Sequence, residues 1–135
     1  MARILVVDDE EMDRVMTRAI LESAGHELLY AADGEVALKR CREEDVELVV
    51  SDLAMPGFNG LRFIKELREA GLSIPLIAVS ARAQDQLDLA LDYGANFAFT
   101  KPVDPPALLE AVGEALNLSG FPGRRGDDPW QHSRD

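Results

Sequence analysis

The 135-residue sequence predicts a doubly wound α/β fold, in which five parallel strands form one sheet with helices on both faces. Short apolar runs, each typical of a strand buried on both faces, alternate five times with segments whose apolar residues recur at helical spacing. Parallel neighbours need crossover helices, and right-handed crossovers distribute those helices over both faces of the sheet. A chain of this length is expected to form one domain around a single core.

The first predicted unit joins a buried strand to a helix. The strand is the unbroken apolar run of residues 4–7, which stops at Asp8. In the helix that follows, apolar residues recur on one face, and Gly25 is a natural stop signal. We expect this face to pack into the core. Its members are Met12, Val15, Met16, Ala19 and Ile20.

The same unit of strand and helix recurs four more times. The predicted pairs are 28–30 with 36–41, 46–51 with 61–70, 76–79 with 83–91, and 97–100 with 107–116. Beyond residue 116 the periodicity ends, and residues 121–135 mix Pro, Gly, Arg and Asp with no run able to pack. We therefore expect a domain over residues 1–120 and a flexible tail over residues 121–135, with no output domain visible.

Composition excludes several classes of function. The formal net charge of −11 disfavours direct nucleic-acid binding, because gripping a phosphate backbone requires clustered Lys and Arg. Metal cations or basic partner proteins suit this surface better. Cys41 is the only cysteine, so no internal disulfide can form and a cytoplasmic setting is the simplest. No apolar run approaches the roughly 18 to 20 residues that span a bilayer, so no membrane association is expected.

Polar side chains follow four of the predicted strands, at the point where each strand ends. They are Asp8, Asp52, Ser80 and Lys101, and ligands of doubly wound folds bind outside the carboxyl ends of the strands. Carboxylates gathered there repel one another, and Mg²⁺ is the common cation that lets them stay ionised. Asp8, Asp9 and Asp52 would form that metal site.

The same four positions suit phosphoryl transfer. A carboxylate is a known phosphoryl acceptor, so Asp52 is the expected nucleophile, and Mg²⁺ can bridge it to an incoming phosphoryl group. Lys101 offers a compact ammonium for one phosphoryl oxygen, and Ser80 offers a hydroxyl donor for another. Together these residues would sense a bound phosphoryl group.

Four short motifs carry this chemistry, each at the end of its own strand. They are Asp8-Asp9, Asp52-Leu53-Ala54-Met55-Pro56-Gly57, Ser80-Ala81 and Lys101-Pro102. In this order they resemble the receiver domains of response regulators in two-component systems, and the likeness covers residues 2–118. The resemblance implies a flavodoxin-like (βα)5 fold with strand order 2-1-3-4-5.

The resemblance also implies how the site is used. Asp52 would accept a phosphoryl group from a histidine kinase or histidine phosphotransfer protein, and Mg²⁺ would bind Asp9, Asp52 and the Ala54 carbonyl, with Asp8 acting largely through water. The Lys101-Pro102 bond is expected to be cis, which would aim the lysine inward. Such a domain is a phosphorylation-switched signalling module rather than an enzyme. Its downstream protein target is unknown, and phosphorylation-dependent dimerisation through the last two helices stays open.

The chain departs from the family at an aromatic position near the lysine. Receivers usually have Tyr or Phe three residues before the lysine, where this chain has Ala98 between Phe97 and Phe99. We expect the two phenylalanines to pack in the core. As a hypothesis, phosphorylation shifts Ser80 and the helix over 83–91 without a rotating ring, or else Phe97 substitutes for that ring.

Four alternatives are weighed against this interpretation. A phosphatase of the haloacid dehalogenase type would need a second Asp where Ala54 stands. A flavin or nucleotide binder would be repelled by Asp8 and Asp9. A phosphorylation-independent docking module should have lost some of the four strand-end positions. A receiver that belongs to a longer regulator with a separate output domain stays open.

Overall fold

The computed structural model describes residues 2–54, 59–81 and 84–120, in which five strands alternate with five helices. The strands are β1 Arg3–Val7, β2 Glu27–Ala31, β3 Leu48–Asp52, β4 Leu76–Ser80 and β5 Phe97–Thr100. The helices are α1 Glu11–Ser23, α2 Gly34–Glu43, α3 Gly60–Glu69, α4 Gln84–Tyr93 and α5 Pro105–Gly120. The predicted alternation is confirmed. The predicted tail, residues 121–135, and the Met55-Pro56-Gly57 part of the second motif lie outside the described residues.

All strand pairs in the sheet are parallel, and the order is β2-β1-β3-β4-β5, as the resemblance implied. The register aligns Val7 with Ser51 and Ser80 with Thr100. The carboxyl ends of β1, β3, β4 and β5 therefore form one continuous edge. Residues that are far apart in the sequence meet at this edge because a parallel sheet brings like ends together.

Each face of the sheet is covered by its own layer of helices. One apolar cluster joins the sheet to α2, α3 and α4 and includes Leu5, Val49 and Phe63. The other joins it to α1 and α5, and Ile4 and Leu108 belong to it. Successive residues of β1 point to opposite clusters. Because apolar side chains cover both faces of the sheet, the strands are unbroken apolar runs in the sequence.

Three helices begin earlier than their apolar spacing predicted, because polar caps rather than apolar residues set the first turn. The Asp33 side chain accepts a hydrogen bond from the Val36 amide, and Asn59 does the same for Arg62. An Asp104 carboxylate oxygen accepts from an amide in the first turn of α5. Such caps satisfy amide groups that have no partner inside the helix. In the described part of the chain, no helix is both long and apolar enough to cross a membrane.

The packing predicted for α1 is wrong for Met12, Val15 and Met16 and is confirmed for Ile20. Met12, Val15 and Met16 are 72%, 51% and 58% exposed, although they were expected to face the core. Leu21 is fully buried instead, and Ile20 packs beside it. The inward side of the first turns of α1 is polar, since it faces the strand ends rather than the apolar sheet. The apolar stripe of this helix consequently faces solvent.

Candidate functional site

The buried polar groups of the protein are concentrated at the carboxyl edge of the sheet. Among the described residues, the buried polar or charged ones are Asp8, Ser51, Asp52 and Ser80. They lie at the ends of three adjacent strands, β1, β3 and β4. Burial of a polar group, and above all of a carboxylate, costs free energy unless other groups compensate it. The burial of these groups at one edge makes this edge the candidate functional site.

The three carboxylates that the sequence proposed as metal ligands do lie together. Asp8, Asp9 and Asp52 each offer a carboxylate oxygen, and these oxygens lie within 4.8 Å of one another. Two of the residues are buried, and Asp9 is exposed. An all-oxygen cluster that is open to solvent on one side fits Mg²⁺, which keeps several waters and takes few protein carboxylates. The residues present thus fit the implied ion.

Asp52 is held in place by the chain that follows it. The Ala54 amide donates a hydrogen bond of 3.2 Å to Asp52 Oδ1, and Oδ2 lies 3.5 Å from Lys101 Nζ. Burial raises the pKa of Asp52 and nearby Asp8 adds to this, whereas the charge of Lys101 and the Ala54 amide oppose it. A cation at the cluster would favour the ionised, nucleophilic form.

Lys101 points into the site from the end of β5. Its Nζ lies 3.2 Å from Asp8 Oδ2 and 2.7 Å from Asp13 Oδ2. Burial by itself lowers the pKa of Lys101, but the hydrogen bond to Asp13 and the charges of Asp52 and Asp8 outweigh this, and the pKa is raised. The side chain is therefore a permanent cation. The expected cis bond between Lys101 and Pro102 is present.

Ser80 lies at the same edge, fully buried at the end of β4. Its carbonyl oxygen accepts a hydrogen bond of 2.9 Å from the Lys101 amide. The backbone thus ties the proposed hydroxyl donor to the proposed ammonium donor. Ser80 and Lys101 stand at the ends of the neighbouring strands β4 and β5, as the sequence predicted.

Ala98 stands where the family usually has Tyr or Phe. Ala98 and its two neighbours lie on different faces of the sheet. Ala98 packs against the cluster on the side of α2, α3 and α4. Phe97 and Phe99 pack against the opposite cluster, with ring centroids 6.3 Å apart. Both rings therefore serve the core, as expected. Their position across the sheet argues against the hypothesis that Phe97 takes the place of the ring that Ala98 lacks.

Two residues of α1 that were not predicted from the sequence also reach this edge. Asp13 contacts Lys101, and Arg14 Nη1 donates a hydrogen bond of 2.7 Å to the Asp8 carbonyl oxygen. The Glu10 amide also donates to Asp8 Oδ1 at 2.9 Å. A weak signal for Asp13 existed, because it stands one helical turn after Asp9. The apolar spacing of Met12, Val15 and Met16 instead predicted that their side of the helix faces the interior.

Comparisons with known proteins agree with this geometry. The family described as response regulator receiver domain matches residues 4–113. The chain is 37% identical over 119 residues to the alkaline phosphatase synthesis transcriptional regulatory protein PhoP of Bacillus subtilis, covering 87% of this chain and 49% of PhoP. It is 36% identical over 119 residues to protein PilH of Pseudomonas aeruginosa, covering 86% of this chain and 98% of PilH. The chain therefore spans about half the length of PhoP and nearly all of PilH.

A solved structure shows the same fold. It is the crystal structure of a CheY-like response regulator receiver domain protein from Methanospirillum hungatei, with a TM-score of 0.83 and 29% sequence identity. The alignment covers 91% of this chain and 99% of the other. The likeness extends over nearly the whole of both chains and is not confined to a local motif.

Proposed function

The chain belongs to the response regulator receiver domain family, and we propose that Asp52 is its phosphoryl acceptor, in a reaction that depends on Mg²⁺. The protein is a receiver of two-component signalling, a signalling module rather than a classical enzyme. One observation carries the proposal. The buried Asp52 carboxylate lies 3.5 Å from a permanent ammonium and within 4.8 Å of oxygens from Asp8 and Asp9.

The proposed donor is a phosphohistidine of a histidine kinase or histidine phosphotransfer protein. An Asp52 carboxylate oxygen attacks the phosphorus, the P–O bond forms as the P–N bond breaks, and the departing imidazole takes a proton from solvent. Lys101 neutralises charge on one phosphoryl oxygen, and the Ser80 hydroxyl donates to another. Asp9, Asp52 and the Ala54 carbonyl would hold Mg²⁺, with Asp8 acting through water, and the ion would supply positive charge for the phosphoryl oxygens.

The same groups assist removal of the phosphoryl group. Water attacks the phosphorus, the acyl phosphate bond breaks, and Asp52 is regenerated as a carboxylate with release of inorganic phosphate. Lys101 and Ser80 stabilise the same equatorial oxygens in this step as in the forward transfer. The receiver thus helps to end its own signal without turning over a separate substrate.

The donor protein is proposed to dock beside the exposed stripe of α1. Met12, Val15 and Met16 are large, apolar and exposed, and their helix begins two residues after Asp9. Clustered exposed apolar side chains mark interaction sites more often than ordinary surface. A donor histidine that reaches Asp52 must bring its own protein surface close to this helix. The stripe therefore suits a protein donor, and no contact with nucleic acid or membrane is proposed.

The output of the switch is proposed to pass through α4 and α5. Ser80 immediately precedes the segment that leads into α4, and this helix exposes Leu89 and Tyr93. A downstream protein, or a second copy in a phosphorylation-dependent dimer, would contact this side. We propose that residues 1–120 form the receiver, that residues 121–135 form a tail and that the protein acts in the cytoplasm.

Intact mass measured after incubation with Mg²⁺ and acetyl phosphate tests the proposal. We expect one phosphoryl adduct, which is lost in Asp52→Asn and in the presence of a chelator. Asp33→Asn is the matched control, since it also removes one carboxylate but retains a good helix cap. An adduct that persists in Asp52→Asn would assign the acceptor elsewhere. No adduct from either acetyl phosphate or histidine kinases would favour the docking module.

A further inference from the structure

We propose that Asp13 holds the Lys101 ammonium in the unphosphorylated protein and yields it to the phosphoryl group when Asp52 is modified. Asp13 would then be a positioning residue of the site, acting on the reaction through Lys101. This inference rests on the proposed function. It adds a competing partner on α1 to the acceptor, the metal ligands and the two donors.

The distances place the ammonium nearer to Asp13 than to the acceptor. Lys101 Nζ lies 2.7 Å from Asp13 Oδ2, 3.2 Å from Asp8 Oδ2 and 3.5 Å from Asp52 Oδ2. An ammonium has three hydrogens, and charge-assisted hydrogen bonds to carboxylates are strongest below about 2.9 Å. The contact with Asp13 is therefore the strongest of the three, and the contact with Asp52 is the weakest.

Asp13 is well placed to compete because its contact is both charged and sheltered. Its side chain is 28% exposed, and that of Lys101 is 19% exposed. The hydrogen bond from Lys101 lowers the pKa of Asp13, so the residue is a full anion at neutral pH. Partly sheltered ion pairs keep more of their strength than pairs in open solvent.

Phosphorylation changes the balance among the anions around Lys101. Without it, three carboxylates share one ammonium, and Asp13 alone of the three lies outside the proposed metal site. A phosphoryl group on Asp52 adds negatively charged oxygens close to Lys101 Nζ. These oxygens compete with the carboxylates for the ammonium. Moving Lys101 toward that group costs the contact with Asp13. Asp13 therefore destabilises the phosphorylated state by the free energy of its contact with Lys101.

Two binding measurements with opposite expected signs test this competition. Beryllofluoride, a mimic of the phosphoryl group, is titrated by calorimetry at saturating Mg²⁺, and Mg²⁺ is titrated alone. In Asp13→Asn we expect beryllofluoride to bind about five- to tenfold more tightly, since the competing charge-assisted hydrogen bond is gone. Mg²⁺ alone should bind roughly threefold more weakly, because the freed ammonium moves toward Asp8 and Asp52.

Two variants serve as controls. Glu11→Gln removes the same charge from the same helical turn at an exposed position without a contact to Lys101, and both affinities should change by less than about twofold. Asp13→Glu keeps the charge and should return both affinities toward wild type. A variant that is merely less stable would weaken both ligands together.

The carboxyl ¹³C signal of Asp13 in the wild-type protein gives an independent test that does not depend on the folding of a variant. It should move toward the position of a solvated aspartate when beryllofluoride binds. An unmoved signal, equal affinities in Asp13→Asn and Glu11→Gln, or weaker beryllofluoride binding in Asp13→Asn would each overturn the inference alone. No binding of beryllofluoride by the wild-type protein would overturn the proposed function together with it.

Discussion

The Gly60 amide donates a hydrogen bond of 3.1 Å to the carbonyl oxygen of Leu53. This contact holds the start of α3 against Leu53, the residue that directly follows the proposed acceptor Asp52. A Cβ atom on residue 60 would lie 2.6 Å from the Leu53 Cα and would also collide with the Asp52 carbonyl oxygen. Backbone atoms cannot move aside as a flexible side chain can. The close approach therefore requires glycine.

We expect Gly60→Ala to destabilise the protein by about 1–3 kcal/mol, because the methyl group must push the acceptor strand and α3 apart. Gly113→Ala is the matched control, since a Cβ there meets nothing within 4 Å in the middle of α5. That variant should gain about 0.5–1 kcal/mol from the better helix propensity of alanine. Urea unfolding of both variants measures the difference. Equal stability of the two would show that the close approach is easily relieved.

Arg68 fastens the two loops at the opposite edge of the sheet. Its guanidinium donates to the carbonyl oxygens of Leu72 and Ile74 at 2.9 and 2.8 Å, and to that of Gly94 at 2.9 Å. Arg68→Met would keep much of the packing but leave these carbonyl groups without their donor. We expect a loss of about 2–4 kcal/mol in the free energy of unfolding, from several charge-assisted hydrogen bonds.

The control for this prediction lies on the same helix. Arg62 forms an ion pair with Glu66 one turn along α3, with 59% of its side chain exposed. Arg62→Met should therefore cost less than about 1 kcal/mol. Urea unfolding at low and high salt compares the two variants. A loss at Arg68 as small as that at Arg62 would mean that water replaces the guanidinium at the three carbonyl groups.

The fold and four positions of the site could be predicted because both follow from strong local signals. Strands buried on both faces read as apolar runs, such as residues 4–7, and a parallel sheet gathers their carboxyl ends. Asp8, Asp52, Ser80 and Lys101 follow from that rule without knowledge of any distance. The Lys101 contacts at 3.2 and 3.5 Å fit this picture.

The orientation of α1 could not be predicted, because the partners of its polar residues are distant in the sequence. Lys101 stands 88 residues after Asp13, and a local pattern holds no trace of that pairing. Apolar spacing placed Met12 and Met16 inside, whereas Asp13 and Arg14 occupy the side that faces the strand ends. Arg68 likewise contacts Gly94, which lies 26 residues later in the chain, so its role could not be predicted from the local sequence.

The exposed stripe of α1 gives a prediction that separates docking from chemistry. Met16→Glu places a charge on the stripe without touching the described contacts of Lys101 or Asp52. We expect phosphotransfer from a protein donor to slow by roughly tenfold or more, since loss of a buried apolar anchor costs about 1–3 kcal/mol of binding. Phosphorylation by acetyl phosphate should be unchanged, because this small donor needs no docking surface.

The measurement compares two assays. One is the transfer of a radiolabelled phosphoryl group from a cognate histidine kinase, and the other is labelling by acetyl phosphate, measured by intact mass. Leu89→Glu is the matched control, with the same kind of charge placed on the exposed side of α4. Its transfer rate from the kinase should match wild type within about twofold. Equal slowing by Met16→Glu and Leu89→Glu would remove α1 from the docking surface.

The ion pair of Asp13 and Lys101 also predicts how stability depends on pH. The hydrogen bond from Lys101 lowers the pKa of Asp13 below its ordinary value of 3.8. A carboxyl with a lowered pKa in the folded state stabilises the fold fully above the unfolded pKa, and this contribution is lost as the pH falls through the folded pKa. Wild type should thus exceed Asp13→Asn by about 1 kcal/mol at pH 5–7, with a smaller difference below pH 3.8. Urea unfolding in the presence of a chelator measures it, and a difference that stays constant down to pH 3 would show that the lost stability is not that of this ion pair.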